Sequence, residues 1–459
     1  MTPAAGPRTD SASSRIDPAL LFSSLDLSAN RVLVVAVSGG SDSLALLVLL
    51  REFLIHSGSS ARAVAVTVDH GLRAEAADEA RQVAAFCNDH GIDHRAVTWR
   101  GMKPATGLIA AAREARYDLL AHVAEEVGAS AILTGHTMDD QAETVAMRAE
   151  RGEGAGLAGM APATLFDDRI WIVRPLLGVR RQRLRDDLVA RGIAWIDDPT
   201  NRNPSYERVR MRGALGESGT VEDWADRARA AASARRDIAQ RAADVLGQHA
   251  TSPAAGLFRL DHAVFRTSHR DGGVQALRAL LAVAGGTSHL PDATRTAALF
   301  DRIGRETLRA TLSRAVVDAR SDAVWIRREA RTLPILQTFG NAVWDGRWRI
   351  AATGPAKPLS VGPLGPGHAK AMNADIAGVP PSLVRAALAA EPAVFDGEAL
   401  AGLLGAGQVA AGVTAVRIAS PYARFLPDFD LPLAMTLRQL VGAPALPSAP
   451  LNNHIDEGP

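Results

Sequence analysis

The sequence predicts a doubly wound α/β domain with a mostly parallel sheet, followed by a helical region and a mixed C-terminal region. Three observations carry this. Short β-branched runs alternate with helical stretches from Val32 onward. Ser38, Asp69 and Gly135 stand where those runs end, and open α/β sheets bind ligands at the carboxyl ends of their strands. Near residue 216 the alternation stops and a long amphipathic helix begins.

Residues 1–28, rich in Ala, Ser and Pro, read as a flexible N-terminal tail. "VLVVAV" (32–37), "AVAVTV" (63–68) and "AILTG" (131–135) read as buried parallel strands. The stretches 44–55, 75–91 and 107–128 read as helices between them, giving a domain over 29–215. Residues 216–330 read as mainly helical, beginning with the helix 221–249. Residues 331–459, rich in Gly and Pro, read as a mixed domain with short strands around 341–353.

Composition excludes several classes. Cys87 is the only cysteine, so a disulfide framework, a cysteine-rich zinc site and CxxC chemistry are out. The first residues hold no apolar core for a signal peptide. No run of about 18 apolar residues is free of charges and breakers. Together these predict a cytoplasmic protein with no membrane partner. The net charge of +1 gives the whole chain no nucleic-acid signature. Of 51 basic residues only Lys103, Lys357 and Lys370 are lysines, as a GC-rich genome would produce. Phosphate charge in the N-terminal half therefore has to be met by arginine, backbone N–H groups or a metal.

The segment "VAVSGGSDSLALL" (35–47) has the order strand, small-residue turn, helix. Gly39 and Gly40 allow a tight turn and close backbone approach. The following helix offers free N–H groups and a positive dipole end. Ser38, Ser41 and Ser43 add hydroxyls, so the nest can hold phosphate without the lysine of the commoner nucleotide loop. Asp42 would repel phosphate unless a cation intervenes, and Mg²⁺ is the natural bridge. The same residue types also suit a plain helix cap.

A second constellation is "TGHTMDDQAETVAMRAERGEGAGLAGM" (134–160). Asp139, Asp140 and Glu143 share one helix face. Their mutual repulsion argues for a bound cation or amine. Thr137 followed by Asp140 fits a capping box equally well, and spacing alone leaves both readings open.

S-G-G-x-D-S after a buried strand resembles the PP-loop of ATP pyrophosphatases. H-x-x-D-D-x-x-E-T (136–144) followed by R-G-x-G-x-G-L-x-G-M (151–160) resembles the tRNA(Ile)-lysidine synthetase family within that group. "DHGLR" (69–73), "AAREARY" (111–117), "RPLL" (174–177) and "WIDDPTNRNPSYERVRMR" (195–212) fit the same family, so the resemblance covers about residues 31–212. Two positions depart from it. Ile109 stands where members often have glutamate, and Val209 where they often have asparagine.

The resemblance implies a reaction in which ATP adenylates the C2 oxygen of the wobble cytidine in tRNA(Ile) with a CAU anticodon. Pyrophosphate leaves, and the ε-amine of L-lysine then displaces AMP to give lysidine. On this reading Ser38, Gly39, Gly40, Ser41, Asp42, Ser43, His70 and Gly135 bind ATP, and Asp42 and Asp140 hold Mg²⁺. Asp139 and Glu143 bind lysine. Asp42, Asp139 and Glu143 act in catalysis with Arg113 or Arg174, which would neutralise charge developing on the α-phosphate. His70 and His136 suit structural hydrogen bonding as well. Residues 174–212, with ten arginines against five acids, suit RNA phosphates, although "RRQRLRDDL" (180–188) also reads as a solvated helix face. Trp195 and Tyr206 are either base-stacking or core aromatics. The rivals are another PP-loop tRNA-modifying enzyme or amide-forming ligase, and an inactive tRNA-binding relative. Cytidine thiolation needs paired cysteines, which this chain lacks.

Overall fold

The structure is a computed structural model. It describes all residues except 1–14, 27–31, 73–74, 130, 153, 198–202, 267–268, 338–339, 353–358, 406–408, 411 and 452–459. Arg73 and the stretch 198–202, both in motifs named above, lie outside the described residues.

The chain divides into two compact units, residues 1–233 with 447–459, and residues 234–446. The division falls inside one continuous helix, Val221–His249, because its first turns complete a cluster of the first unit: Val221 and Trp224 pack with Ala142, Ala146 and Leu215. There is likewise no break at 330/331.

In the first unit the elements run α1 (Pro18–Leu21), β1 (Val32–Ala36), α2 (Ser41–His56), β2 (Arg62–Asp69), α3 (Ala76–Asp89), β3 (Asp93–Thr98), α4 (Leu108–Glu126), β4 (Ala131–Thr134), α5 (Met138–Ala149), β5 (Ala163–Phe166), β6 (Ile170–Val173), α6 (Arg181–Ala190), α7 (Glu207–Ser218) and α8 (Val221–His249). Their strands lie in the order β5-β6-β4-β1-β2-β3. All pairings are parallel except β5 with β6. β1 is apolar throughout, and β4 apolar but for its last residue, Thr134, because both faces are covered. The leucines of α2 seal one face; Leu46, Leu47, Leu49 and Leu50 are fully buried, and such burial stabilises by about 1.5–3 kcal/mol per side chain.

The expected tail is partly structured. Asp17 caps α1 through the Ala19 N–H. Ile16 N–H donates to Asp187 at 3.0 Å, and Phe22 is buried against Phe53. An apolar pair, Ile16 and Phe22, inside a polar segment explains the ordering.

The second unit is built on antiparallel sheets. β7 (Ala250–Ala254), β8 (Leu257–Leu260), β9 (Leu308–Leu312), β10 (Ala315–Ala319) and β11 (Val324–Arg328) form one, in the order β7-β8-β11-β10-β9. Helix Arg270–Gly285, buried almost end to end, packs on it. Strands Ala342–Trp344 and Trp348–Ala352, where short strands are expected, pair as a hairpin.

Candidate active site

The carboxyl ends of β1 and β4 place the loop and the acidic turn side by side. β1 ends at Ala36 and α2 begins at Ser41, so Ser38 to Gly40 make the turn. Gly39 has φ +83°, and a Cβ there would meet Ile196 at 2.6 Å. Ser43 ties the loop together: its Oγ accepts from Ser38 N–H (3.1 Å) and donates to the Gly40 carbonyl (3.1 Å). No side chain caps α2, which leaves its first N–H groups for a ligand. Gly135 follows β4, and a Cβ on it would sit 2.9 Å from the Asp42 backbone. Only glycine lets the two strand ends approach this closely.

The acidic turn is both cap and site. The Thr137–Asp140 capping box is formed: Asp140 Oδ2 accepts from Thr137 N–H at 2.8 Å. Its other oxygen, Oδ1, accepts from Arg181 (2.8 Å) and Arg208 (2.9 Å). Glu143, 1% exposed, accepts from Arg208 (2.6 Å), Arg212 (2.7 Å) and Arg181 (3.4 Å). Asp139 accepts from the Arg181 backbone N–H (2.7 Å) and from Arg180 (3.4 Å). Arg181 Nε also donates to Asp42 (2.9 Å). Burial raises the Asp140 carboxyl, but Arg181 and Arg208 outweigh it and bring its pKa down to about 2. Asp42 is raised, because burial there outweighs Arg181. A cavity of about 270 Å³ opens beside Asp139, Glu143, Arg180, Arg181, Arg185 and Arg212.

The cation that the acids demand is therefore arginine. Among the described residues no three Asp, Glu, His or Cys side chains are grouped to hold a metal ion. Asp42 and Asp140 do not fit Mg²⁺ in this arrangement, since Arg181 lies between them. Likewise the lysine-site acids Asp139 and Glu143 are engaged by arginines here. These partners were missed because they come from α6 and α7, some 40 to 70 positions away in sequence. Their presence in the arginine-rich 174–212 stretch was the available signal. Residues read there as RNA contacts are in part acid ligands.

A second cluster lies at the ends of β2 and β4. Tyr117, fully buried, has Arg113 and Arg116 over its ring at 5.3 and 5.8 Å. His136 shares a hydrogen bond with Thr134 Oγ1 at 2.9 Å. Burial, then Arg174 and Arg116, hold its pKa well below the usual histidine range. Burial, then Arg116, also lower His70, and its Nδ1 is buried without a hydrogen-bond partner among the described residues. Arg174 is buried and donates to the Ala161 carbonyl (2.7 Å) and Thr164 (2.9 Å). This fastens it as a brace, whereas Arg113 is exposed. Arg116, which faces all three titratable rings, was not singled out from sequence.

The glycine motif after α5 is fastened to that helix. Gln141 exchanges two hydrogen bonds with the Met160 backbone (2.7 and 3.0 Å), and Arg148 donates to the Gly156 and Gly159 carbonyls (2.9 Å each).

A family model described as a PP-loop domain matches residues 15–218. The tRNA(Ile)-lysidine synthase of Mesorhizobium japonicum is 49% identical over 444 residues, covering 95% of this chain and 97% of that protein. The chain belongs to the tRNA(Ile)-lysidine synthase family. The relative from Rhizobium meliloti is 38% identical over 452 residues, covering 93% and 95%. That from Brucella canis is 38% identical over 446, covering 93% and 98%. Family membership makes the chain a ligase and extends the likeness through the second unit, well beyond residue 212. Cys87 is buried and its thiol is pushed up to about 11 by burial, which removes thiol chemistry of the thiolase kind. Ile109 is exposed, so its departure from the family pattern leaves no gap in the core.

Proposed function

We propose that this chain uses ATP to join L-lysine to C2 of the wobble cytidine in tRNA(Ile) with a CAU anticodon, in the cytoplasm. The observation that carries the reading is the meeting of the lysine-free loop with the acids of α5 at the ends of β1 and β4, in a chain 49% identical to a lysidine synthase over 95% of its length. The cytidine C2 oxygen attacks the α-phosphorus and pyrophosphate leaves. Loop N–H groups and the Ser38, Ser41 and Ser43 hydroxyls receive the departing phosphates; His70 and Gly135 flank the nucleotide. Arg113, exposed over the Tyr117 ring, meets charge developing at the α-phosphate, with the buried Arg174 adding its charge. The lysine ε-amine then attacks C2, a C–N bond forms, AMP leaves with the former C2 oxygen, and the amine proton is lost. Asp139 and Glu143, which line the cavity, receive the amine. Mg²⁺ enters this reading as a companion of ATP, not as an ion seated on Asp42 and Asp140 in the arrangement described. Among the described residues no helix is long and apolar enough to cross a membrane.

The test is incubation with ATP, Mg²⁺, labelled lysine and tRNA(Ile) transcripts carrying CAU or GAU anticodons. Label in the CAU transcript alone, with matching AMP, is the expected result. AMP and label in neither transcript would favour an inactive tRNA-binding relative, and AMP without lysine incorporation would favour another PP-loop ligase.

A further inference from the structure

Arg181 joins the phosphate loop to the acidic helix. It stands at the first position of α6, its backbone N–H bound to Asp139 at 2.7 Å. One guanidinium then reaches Asp42 (2.9 Å), Asp140 (2.8 Å) and Glu143 (3.4 Å), with 14% of the side chain exposed. The three carboxylates do not depend on it equally. Asp140 and Glu143 also have Arg208, and Glu143 has Arg212. Asp42 has no other cationic partner among the described residues.

We propose that Arg181 is a positioning residue, an internal counter-cation that holds Asp42 in the nucleotide-free enzyme and competes with a divalent cation for it. The electrostatics favour such competition. Asp42, Asp139, Asp140, Glu143 and Glu222 face the guanidiniums of Arg180, Arg181, Arg208 and Arg212, so the cluster is within one charge of balance with nothing bound. A divalent ion entering alone would turn it positive in a partly buried site, where charge is poorly screened. The ion is accommodated when Arg181 leaves Asp42 or when phosphate charge arrives with it. A displaced Arg181 needs no long journey: Arg185, one turn along α6, already lies 3.4 Å from Ser41 Oγ in the loop. The loop lacks a lysine of its own, and α6 brings arginines to its edge. This inference rests on reading the loop as the ATP site.

The experiment is a titration with Mn²⁺ alone, followed by electron paramagnetic resonance, on the full chain without nucleotide, lysine or RNA. Arg181→Met keeps the length of the side chain and removes its charge. The variant is expected to bind Mn²⁺ at least about tenfold more tightly than the unmodified chain, and Asp42→Asn added to it is expected to abolish the gain. Equal Mn²⁺ affinity before and after Arg181→Met would overturn the proposal, as would a gain that survives Asp42→Asn. Should Arg181→Met fail to fold, Arg181→Lys carries the same test. An ammonium cannot span three carboxylates as a guanidinium fork does, so a several-fold gain is expected and no gain overturns the proposal. Because ATP and tRNA are absent, the titration stands or falls separately from the lysidine assay.

Discussion

Two charged clusters lie at the ends of β1, β2 and β4, and they are balanced in opposite ways. At α5, acids and arginines are matched, and the buried Glu143 is held by three guanidiniums. At Tyr117, cations accumulate: Arg113, Arg116 and Arg174 act on Tyr117 and His136 together, with Asp140 the opposing charge. The first cluster is satisfied without a ligand and has to rearrange to accept a cation or amine. The second gathers more cationic than anionic charge on His136 and suits an anion. A reaction that brings in a triphosphate and an amine calls for this division.

The largest expected effect is that of Asp42→Ala. Adenylation, followed as AMP release and ATP–pyrophosphate exchange, should fall by about 10³-fold or more, while thermal stability changes little. Near-normal AMP release by the folded variant would break the view that the matched cluster serves the nucleotide. Next is Glu143→Ala. The KM for lysine should rise by about 10–100-fold with the KM for ATP nearly unchanged. An unaltered lysine KM would confine Glu143 to anchoring Arg208 and Arg212. Arg113→Ala should lower the adenylation kcat by about tenfold or more and leave the lysine KM alone; a lysine effect instead would show that the cationic cluster reads the amino acid's carboxylate.

The sheet was legible because β1, β2 and β4 are largely apolar, β-branched runs, as buried parallel strands require. β3 was not, since "DHRAVT" is a half-exposed edge strand with polar residues on both faces. The loop and the acidic turn were legible from local spacing. Whether Asp140 caps or serves the site was left open, and the structure shows why: one oxygen does each. The arginine partners were not legible, because α6 and α7 reach the acids only through tertiary packing. The bracing of Arg174 was not legible for a related reason. Its neighbours Ala161 and Thr164 belong to the turn and strand that reverse direction before β6, and no local spacing reports that.

The smallest effect tests the cationic cluster without any ligand. Burial, Arg174, Arg116 and Arg113 keep His136 neutral in the folded chain, against the opposing pull of Asp140. The unfolded chain takes up a proton near the ordinary histidine pKa of about 6.5. Below that pH the unfolded state therefore binds more protons than the folded one, so stability falls as pH falls, by at most about 1.4 kcal/mol per pH unit from this residue. Above pH 7 the residue contributes no slope. His136→Gln retains a polar side chain beside Thr134 and cannot titrate. In denaturant melts of the first unit's transition at pH 7.5 and 5.5, the variant should lose measurably less stability on acidification than the unmodified chain. Equal losses would mean that His136 gains a proton in the folded state, and the second cluster would then be far less positive than its arginines make it.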